Sequence, residues 1–184
     1  MLGNMSEKQI KLLVVGSINM DLVMEIVKSP IAGETILGHE YSYIPGGKGA
    51  NQAVAAARLG ADVTFCGRVG NDANGNILVE NLKAENINTR YIVKDNDSAT
   101  GLASIQLEAN GQNRIIVFPG ANYSITTEDV DIALEEPFDA VIMQLEIPTS
   151  IVYYTFDKAR VKGIPVVLDP APAVKELNLA RLNG

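Results

Sequence analysis

Four stretches of the chain are apolar almost without interruption: 10–16 (IKLLVVG), 61–70 (ADVTFCGRVG), 139–146 (DAVIMQLE) and 164–170 (IPVVLDP). Short runs of this kind, rich in β-branched residues and ended by turn residues, predict strands buried on both faces. Between them the spacing turns helical. Helices are predicted over about 49–59, 74–84, 127–134 and 149–162. In the second, Ile77, Leu78 and Leu82 make an apolar stripe; the third opens on Thr126–Thr127 with acids just behind, a helix-start signature. The fourth follows Pro148. Apolar strands alternating with amphipathic helices predict a mostly parallel sheet covered on both sides, a three-layer α/β sandwich.

Two regions break the alternation. NMDLVMEIV and GETILGHEYSYI read as extended, exposed strand, and TGLASIQLEANGQNRIIVF reads as a hairpin. In the hairpin Ala103, Ile105 and Leu107 point one way, Ser104, Gln106 and Glu108 the other, and Asn110–Gly111 supplies the turn. A sheet with one apolar face needs a cover. These segments, about 18–44 and 100–118, are therefore read as a small β-sheet lid over a cleft or against a partner chain, and 10–184 as one partial α/β domain.

Composition narrows the function. The net charge of −7, with fifteen scattered Lys and Arg, argues against a nucleic-acid partner. No apolar run approaches the roughly 20 residues of a membrane span. The N-terminus has no signal-peptide pattern, so a soluble, cytoplasmic protein is expected. The single cysteine, Cys66, excludes an internal disulfide and a Cys-based metal cluster, and its apolar surroundings predict a buried structural thiol. His39, the one histidine, lies in the extended GHEY segment and reads as a surface or lid residue.

The stretch YIPGGKGANQAVAAARLG (43–60) places glycines and a lysine in front of a helix, as phosphate cradles do. A Walker loop requires Ser or Thr after the lysine, and Gly49 follows Lys48 here. A dinucleotide fingerprint requires a third glycine where Gln52 stands, and an acid further on. Neither nucleotide motif is present. Gly46 and Gly47 by themselves only allow a tight turn. Lys48 and Asn51 on the first helical turn, with exposed backbone N–H groups, suit a ligand rich in hydroxyls. The strand ends add Asn19 and Asp21, Asp72, Glu146 and Asp169. Asp72 reads as a helix cap, and Glu146 either favours the next helix start or belongs to the site. Polar groups on one rim of a parallel sheet predict a site for a small hydroxylated ligand.

The order GSINMD, PGGKGANQAVAAARLG, GRVGNDANG, ATG, GAN, QLEIP and LDPAPA resembles the ribokinases, within the larger family of sugar kinases that includes fructokinases and adenosine kinases. The resemblance runs from about Ile10 to about Leu177. It implies ATP-dependent phosphorylation of D-ribose on its terminal hydroxyl, with Mg2+ accompanying ATP and a monovalent cation such as K+. It implies sugar contacts from Asn19, Asp21, Gly46, Gly47, Lys48, Asn51 and Glu146, closure by Ala103 and Ile105 of the lid, and Asp169 on the phosphate side. It also implies a homodimer formed through the lids. The family's Gly-Ala-Gly-Asp turn, which carries the general base and the anion hole, is absent. The general base is accordingly expected beyond Gly184, with the C-terminal part of the fold missing and no catalytic base or metal ligand among these residues. The 184-residue chain is expected to be inactive by itself. A non-catalytic sugar-binding or interaction fragment, and a kinase for another pentose or a nucleoside, remain as alternatives.

Overall fold

The computed structural model describes residues 9–175 and 177–182. Gly184, beyond which the general base and the rest of the fold are expected, lies outside the described residues. In chain order the elements are β1 (Lys11–Val15), β2 (Asn19–Ile26), β3 (Glu40–Gly46), α1 (Lys48–Arg58), β4 (Asp62–Gly70), α2 (Ala73–Ala84), β5 (Asn88–Asp95), β6 (Gly101–Glu108) and β7 (Asn113–Phe118). A short 3-10 turn (Gly120–Ser124) leads to α3 (Thr127–Ala133), β8 (Ala140–Met143), α4 (Thr149–Val161) and β9 (Val166–Leu168). Five strands form one sheet in the order β5-β4-β1-β8-β9, every pairing parallel.

The apolar runs at β1, β4 and β8 become strands because helices cover both faces of the sheet there; β9, expected to be buried in the same way, is an edge strand whose Val167 is 57% exposed. Leu13, Val15, Cys66, Val141 and Met143 pack on one side with Val130 of α3 and Val152 of α4. The intervening Val14, Val63 and Phe65 pack on the other with Ala50 and Ala53 of α1 and Leu78 and Leu82 of α2. Each buried Val, Leu, Met or Phe contributes about 1.5–3 kcal/mol by leaving water. Cys66 is fully buried, and its thiol is pushed up to about 12, chiefly by burial and then by the negative charge of Asp129. It is a packing residue, as its surroundings predicted.

β5 was not among the predicted strands. Its sequence, NTRYIVKD, carries polar groups throughout, because it is an edge strand whose residues are mostly half-exposed. The second sheet has the order β3-β2-β6-β7, with β2 and β6 parallel and both outer pairings antiparallel. β2 is less exposed than expected, since Asn19, Met20 and Ile26 are buried. The hairpin turn also differs in detail. Gly111 N donates to Glu108 O (2.8 Å), and Gly111 alone is left-handed, at φ 84°, so the loop is a three-residue type with glycine at its last position.

Two acids, Asp129 buried and Asp72 half-buried, fasten the layers. Arg68, near the end of β4, donates through Nε and Nη2 to the Asp129 carboxylate (2.7 and 3.1 Å), while Asp129 also closes the capping box with Thr126 at the start of α3. Asp72 caps α2 by accepting from Gly75 N (2.8 Å), and it also accepts from the Thr100 N–H (2.8 Å) and hydroxyl (2.7 Å). This second role ties the entry of β6 to the α/β layers. Burial pushes the Asp72 carboxyl up, but the hydrogen bonds from Thr100 and Gly75 outweigh it and hold the group below its ordinary value. A carboxyl held low stabilises the fold above the ordinary carboxylate range and loses that contribution as the pH falls through its own lower pKa. Asp72→Ala is expected to cost about 1–3 kcal/mol, from the lost cap and the stranded Thr100 donors. Urea midpoints should report that loss at neutral pH, and the gap between parent and variant should close in acid.

Candidate functional site

Helix α1 starts hard against the end of β1, and glycine permits the approach. Gly47 has φ 92°, and a Cβ there would press within 3.0 Å on the backbone of Ser17, Ile18 and Asn19. A Cβ on Gly49 would meet Ser17 N at 2.6 Å. With glycine at the cap position there is no side-chain acceptor for the helix N-terminus, so other residues serve. Lys48 N donates to Glu146 Oε2 (2.9 Å), Gly49 N to Ser17 Oγ (3.2 Å) and Ala50 N to Ser17 O (2.9 Å). The backbone N–H groups expected to face a ligand are therefore consumed inside the protein. This corrects the sequence reading, and removes the loop as a phosphate cradle on geometric grounds.

Glu146 anchors this arrangement. Ser17, fully buried, donates its hydroxyl to the same Oε2 (2.6 Å). Glu146 thus caps α1 from 98 residues away, rather than helping to start the following helix. Its second carboxylate oxygen has no partner among the described residues. Asp21 on β2 packs its carboxylate against the Cα of Gly46, where any Cβ would collide with both oxygens. No donor in the protein reaches that carboxylate among the described residues. Burial, and then the charge of Glu146, push the Asp21 pKa above its ordinary value. Lys48 is half-buried, and its ammonium has no ion-pair partner among the described residues.

Asn19 is 3% exposed and held by Asn122, which is 1% exposed. Asn122 Nδ2 donates to Asn19 Oδ1 (2.7 Å) and to Ile18 O (3.2 Å), while its Oδ1 accepts from Ile18 N (2.9 Å). Asn19, Asn122, Leu145, Glu146, Val117 and Tyr123 line a cleft of about 270 Å³. Ala103 pairs with Asp21 across β2 and β6, and half-buried Ile105 pairs with Val23, so both share the face of the second sheet that carries Asp21. Asn51 is exposed beside Gly46, on a neighbouring cleft between α1 and α2 lined by Ile18, Val54, Arg58 and Asn81. Asp169, at the end of β9, accepts from Gln52 Nε2 (3.1 Å), and Gln52 Oε1 accepts from Gln144 Nε2 (2.6 Å). Asp169 is thereby tied to the first half of α1. The cost of that relay is the buried Gln144 Oε1, which has no partner and lies over Gly16.

A larger cavity of about 580 Å³ lies on the opposite face of the second sheet, lined by Leu22, Met24, Ile36, Tyr41 and Tyr43. Asn19 and Glu146 line the polar cleft and not this cavity, so the polar cleft is the candidate site. No group of three or more His, Cys, Asp or Glu among the described residues is arranged to hold a metal ion. Three positioning residues, Ser17, Gln52 and Asn122, escaped the sequence reading, and Gln144 stood only as a polar group at a strand end. Their strings (GSINMD, GANQA, GAN, QLE) stood out, but each partner lies dozens of residues away and only folding brings it near.

The model of the pfkB family carbohydrate kinases matches residues 9–183. Ribokinase of Bacillus subtilis is 47% identical over 162 residues, covering 87% of this chain and 55% of that protein. Deoxyribokinase of Salmonella typhi is 37% identical over 169 residues, covering 91% and 55%. Among solved structures, Arabidopsis thaliana ribokinase complexed with ribose and ATP superposes with a TM-score of 0.78 at 36% identity, covering 88% of this chain and 53% of that one. The chain spans about half the length of the relatives it matches.

The unsupported carboxylate of Asp21 leads to a stability test. An acid whose pKa is raised by folding destabilises the fold when ionised; the penalty is complete above the raised pKa and absent below the ordinary one. Asp21→Asn is therefore expected to raise Tm at neutral pH, with the gain fading as the pH falls through the carboxylate range. A calorimetric Tm that drops at pH 7 contradicts this account.

Proposed function

The chain belongs to the pfkB family of carbohydrate kinases, and we propose that it forms the sugar-holding part of a kinase that transfers a phosphoryl group from ATP to D-ribose. The observation that carries the proposal is a pair of acceptors without donors, Asp21 and the second oxygen of Glu146, close enough for their charges to interact, with Asn19 and Glu146 lining one cleft and Lys48, whose ammonium has no ion-pair partner among the described residues, at the adjoining start of α1. A pentose presents several hydroxyls, each a donor and an acceptor, and this set meets both. Asn19, Gly46, Gly47, Lys48 and Glu146 form the floor in this reading. Asn51 extends the rim beside Gly46, and Ala103 and Ile105 of the second sheet act as a lid over the sugar. Closing such a lid expels water and strengthens the polar contacts beneath it.

ATP is taken as the phosphoryl donor on the strength of family membership and the ribose- and ATP-bound relative. Mg2+ and a monovalent cation accompany the nucleotide in this reading; no group of three or more His, Cys, Asp or Glu among the described residues is arranged to hold a metal ion, and no step is routed through either. None of the cleft residues is assigned as the general base. That role is placed in the length of the relatives that this chain does not span. Asp169, half-buried at the rim of the parallel sheet, is placed on the phosphate side. A cytoplasmic location accords with the one buried, unpaired cysteine.

The second sheet also supports a homodimer. Register places Tyr43, Leu22, Ser104 and Ile116 in one row on the face away from Asp21, with Tyr41, Met24 and Gln106 in the next. Tyr41, Tyr43, Ile116 and Phe118 are each more than half exposed. Apolar surface gathered on one sheet face favours association, and a second copy of the same sheet offers a self-complementary cover.

Two measurements test these readings. In the protein that carries this chain, Asp21→Ala is expected to raise KM for D-ribose about 10- to 100-fold, the value of hydrogen bonds to a charged group. A parent protein that phosphorylates neither D-ribose nor 2-deoxyribose in a coupled assay overturns the assignment. For the dimer, Tyr43→Glu is expected to shift sedimentation from dimer to monomer, and a parent protein that sediments as a monomer removes the proposal.

A further inference from the structure

Asn122 lines the cleft beside Asn19, and its own amide orientation is dictated by the main chain. The Ile18 N–H can only donate and the Ile18 carbonyl can only accept. Asn122 must therefore turn Oδ1 to the first (2.9 Å) and Nδ2 to the second (3.2 Å). The remaining proton of Nδ2 then points at Asn19 (2.7 Å), and the Asn19 atom that receives it has to be Oδ1. Asn19 Nδ2 makes no hydrogen bond within the protein among the described residues and is not a buried unpartnered atom, while Asn19 itself lines the cleft. Asn19 thus offers the cleft a donor and no acceptor.

Gly101 makes the arrangement possible. It sits directly opposite Asn19 in the β2–β6 register, and a Cβ there would collide with both Asn122 Nδ2 and Asn19 Oδ1. The 3-10 turn carrying Asn122 is held to the same strand entry, with Ala121 N donating to Ala99 O (2.8 Å). Three segments distant in sequence therefore converge to set one amide.

We infer that Asn122 is a specificity-determining positioning residue: by locking Asn19 as a donor beside the acceptor carboxylate of Asp21, it tunes the cleft to a sugar hydroxyl that accepts from Asn19 and donates to Asp21. A hydroxyl fills both roles, whereas a ligand with hydrogen at that position leaves a donor and an acceptor unpaired. The inference rests on the sugar-binding reading above, but the amide orientation it starts from does not.

Asn122→Asp keeps the shape and the bond from Ile18 N; in its ionised form it can no longer donate, so the Ile18 carbonyl and Asn19 Oδ1 both lose their donor. Asn19 then turns its Nδ2 toward position 122 and its Oδ1 into the cleft, where Asp21 and Glu146 already supply acceptors. Calorimetric titration of D-ribose into the protein that carries this chain is expected to weaken about tenfold or more in Asn122→Asp. Discrimination between D-ribose and its monodeoxy analogues is expected to shrink at one ring position only. A loss of affinity with discrimination unchanged at every position, or an unchanged affinity, overturns the inference. Side-chain amide exchange in the sugar-free parent protein gives a second readout that needs no variant. The Asn122 amide protons are expected to exchange slowly and those of Asn19 fast, and D-ribose is expected to slow only the latter. Equal protection of both amides in the sugar-free protein overturns the locked orientation. If the orientation holds while D-ribose fails to bind the parent, the sugar assignment falls and the locked amide stands.

Discussion

The cleft depends on Glu146 reaching back to the start of helix α1. A helix that begins at a left-handed glycine has no cap of its own, and α1 must begin there to lie close against β1. Glu146 Oε2 supplies the missing acceptor to Lys48 N while it takes the Ser17 hydroxyl, which in turn serves Gly49 N. One carboxylate oxygen thereby joins the ends of β1 and β8 to the first turn of α1. The second oxygen is left over, and the charge of Glu146 acts on the Asp21 carboxylate. In Glu146 the structural and the binding role belong to different atoms of one group, so loss of this acid should disturb the loop as well as the ligand.

Asp21 is the contrasting case. Its carboxylate is partly buried, lies near a like charge and receives no donor from the described residues, and its pKa rises for those reasons. Asp72 and Asp129 show what a carboxylate looks like when the fold uses it: several short bonds to N–H groups, hydroxyls or a guanidinium. A carboxylate without such support is a cost to the fold, and groups of that kind concentrate where a ligand supplies the missing partners.

The parallel sheet and its helices were legible in the chain, and the reason is local. Residues 10–16 and 61–70 are apolar with few interruptions because helices cover both faces, and the alanines of 49–59 suit a helix lying close on a strand. β5 was not legible, because an edge strand with half-exposed residues carries no continuous run and its alternation is masked by Arg90 and Lys94. The polar candidates Asn19, Asp21, Lys48 and Glu146 were legible as types and positions. Their division of labour was not: along the chain the N–H groups of the glycine loop look open, whereas in the fold Glu146 and Ser17 occupy them.

The layered architecture, the hairpin, the absence of a nucleotide loop at 43–60 and the likeness to sugar kinases could all be read from the chain, since each follows from residues near one another along it. Which atoms face the cleft was settled only by packing. Asn122 meets Asn19 from 103 residues away, Glu146 meets Lys48 from 98, and Gln52 meets Asp169 from 117. Hydrogen bonding depends on distance and direction at the scale of an ångström. Those quantities exist only once β1, β2, β8 and α1 have packed, and so the orientation of one amide and the free oxygen of one acid belong to the fold and not to the motif.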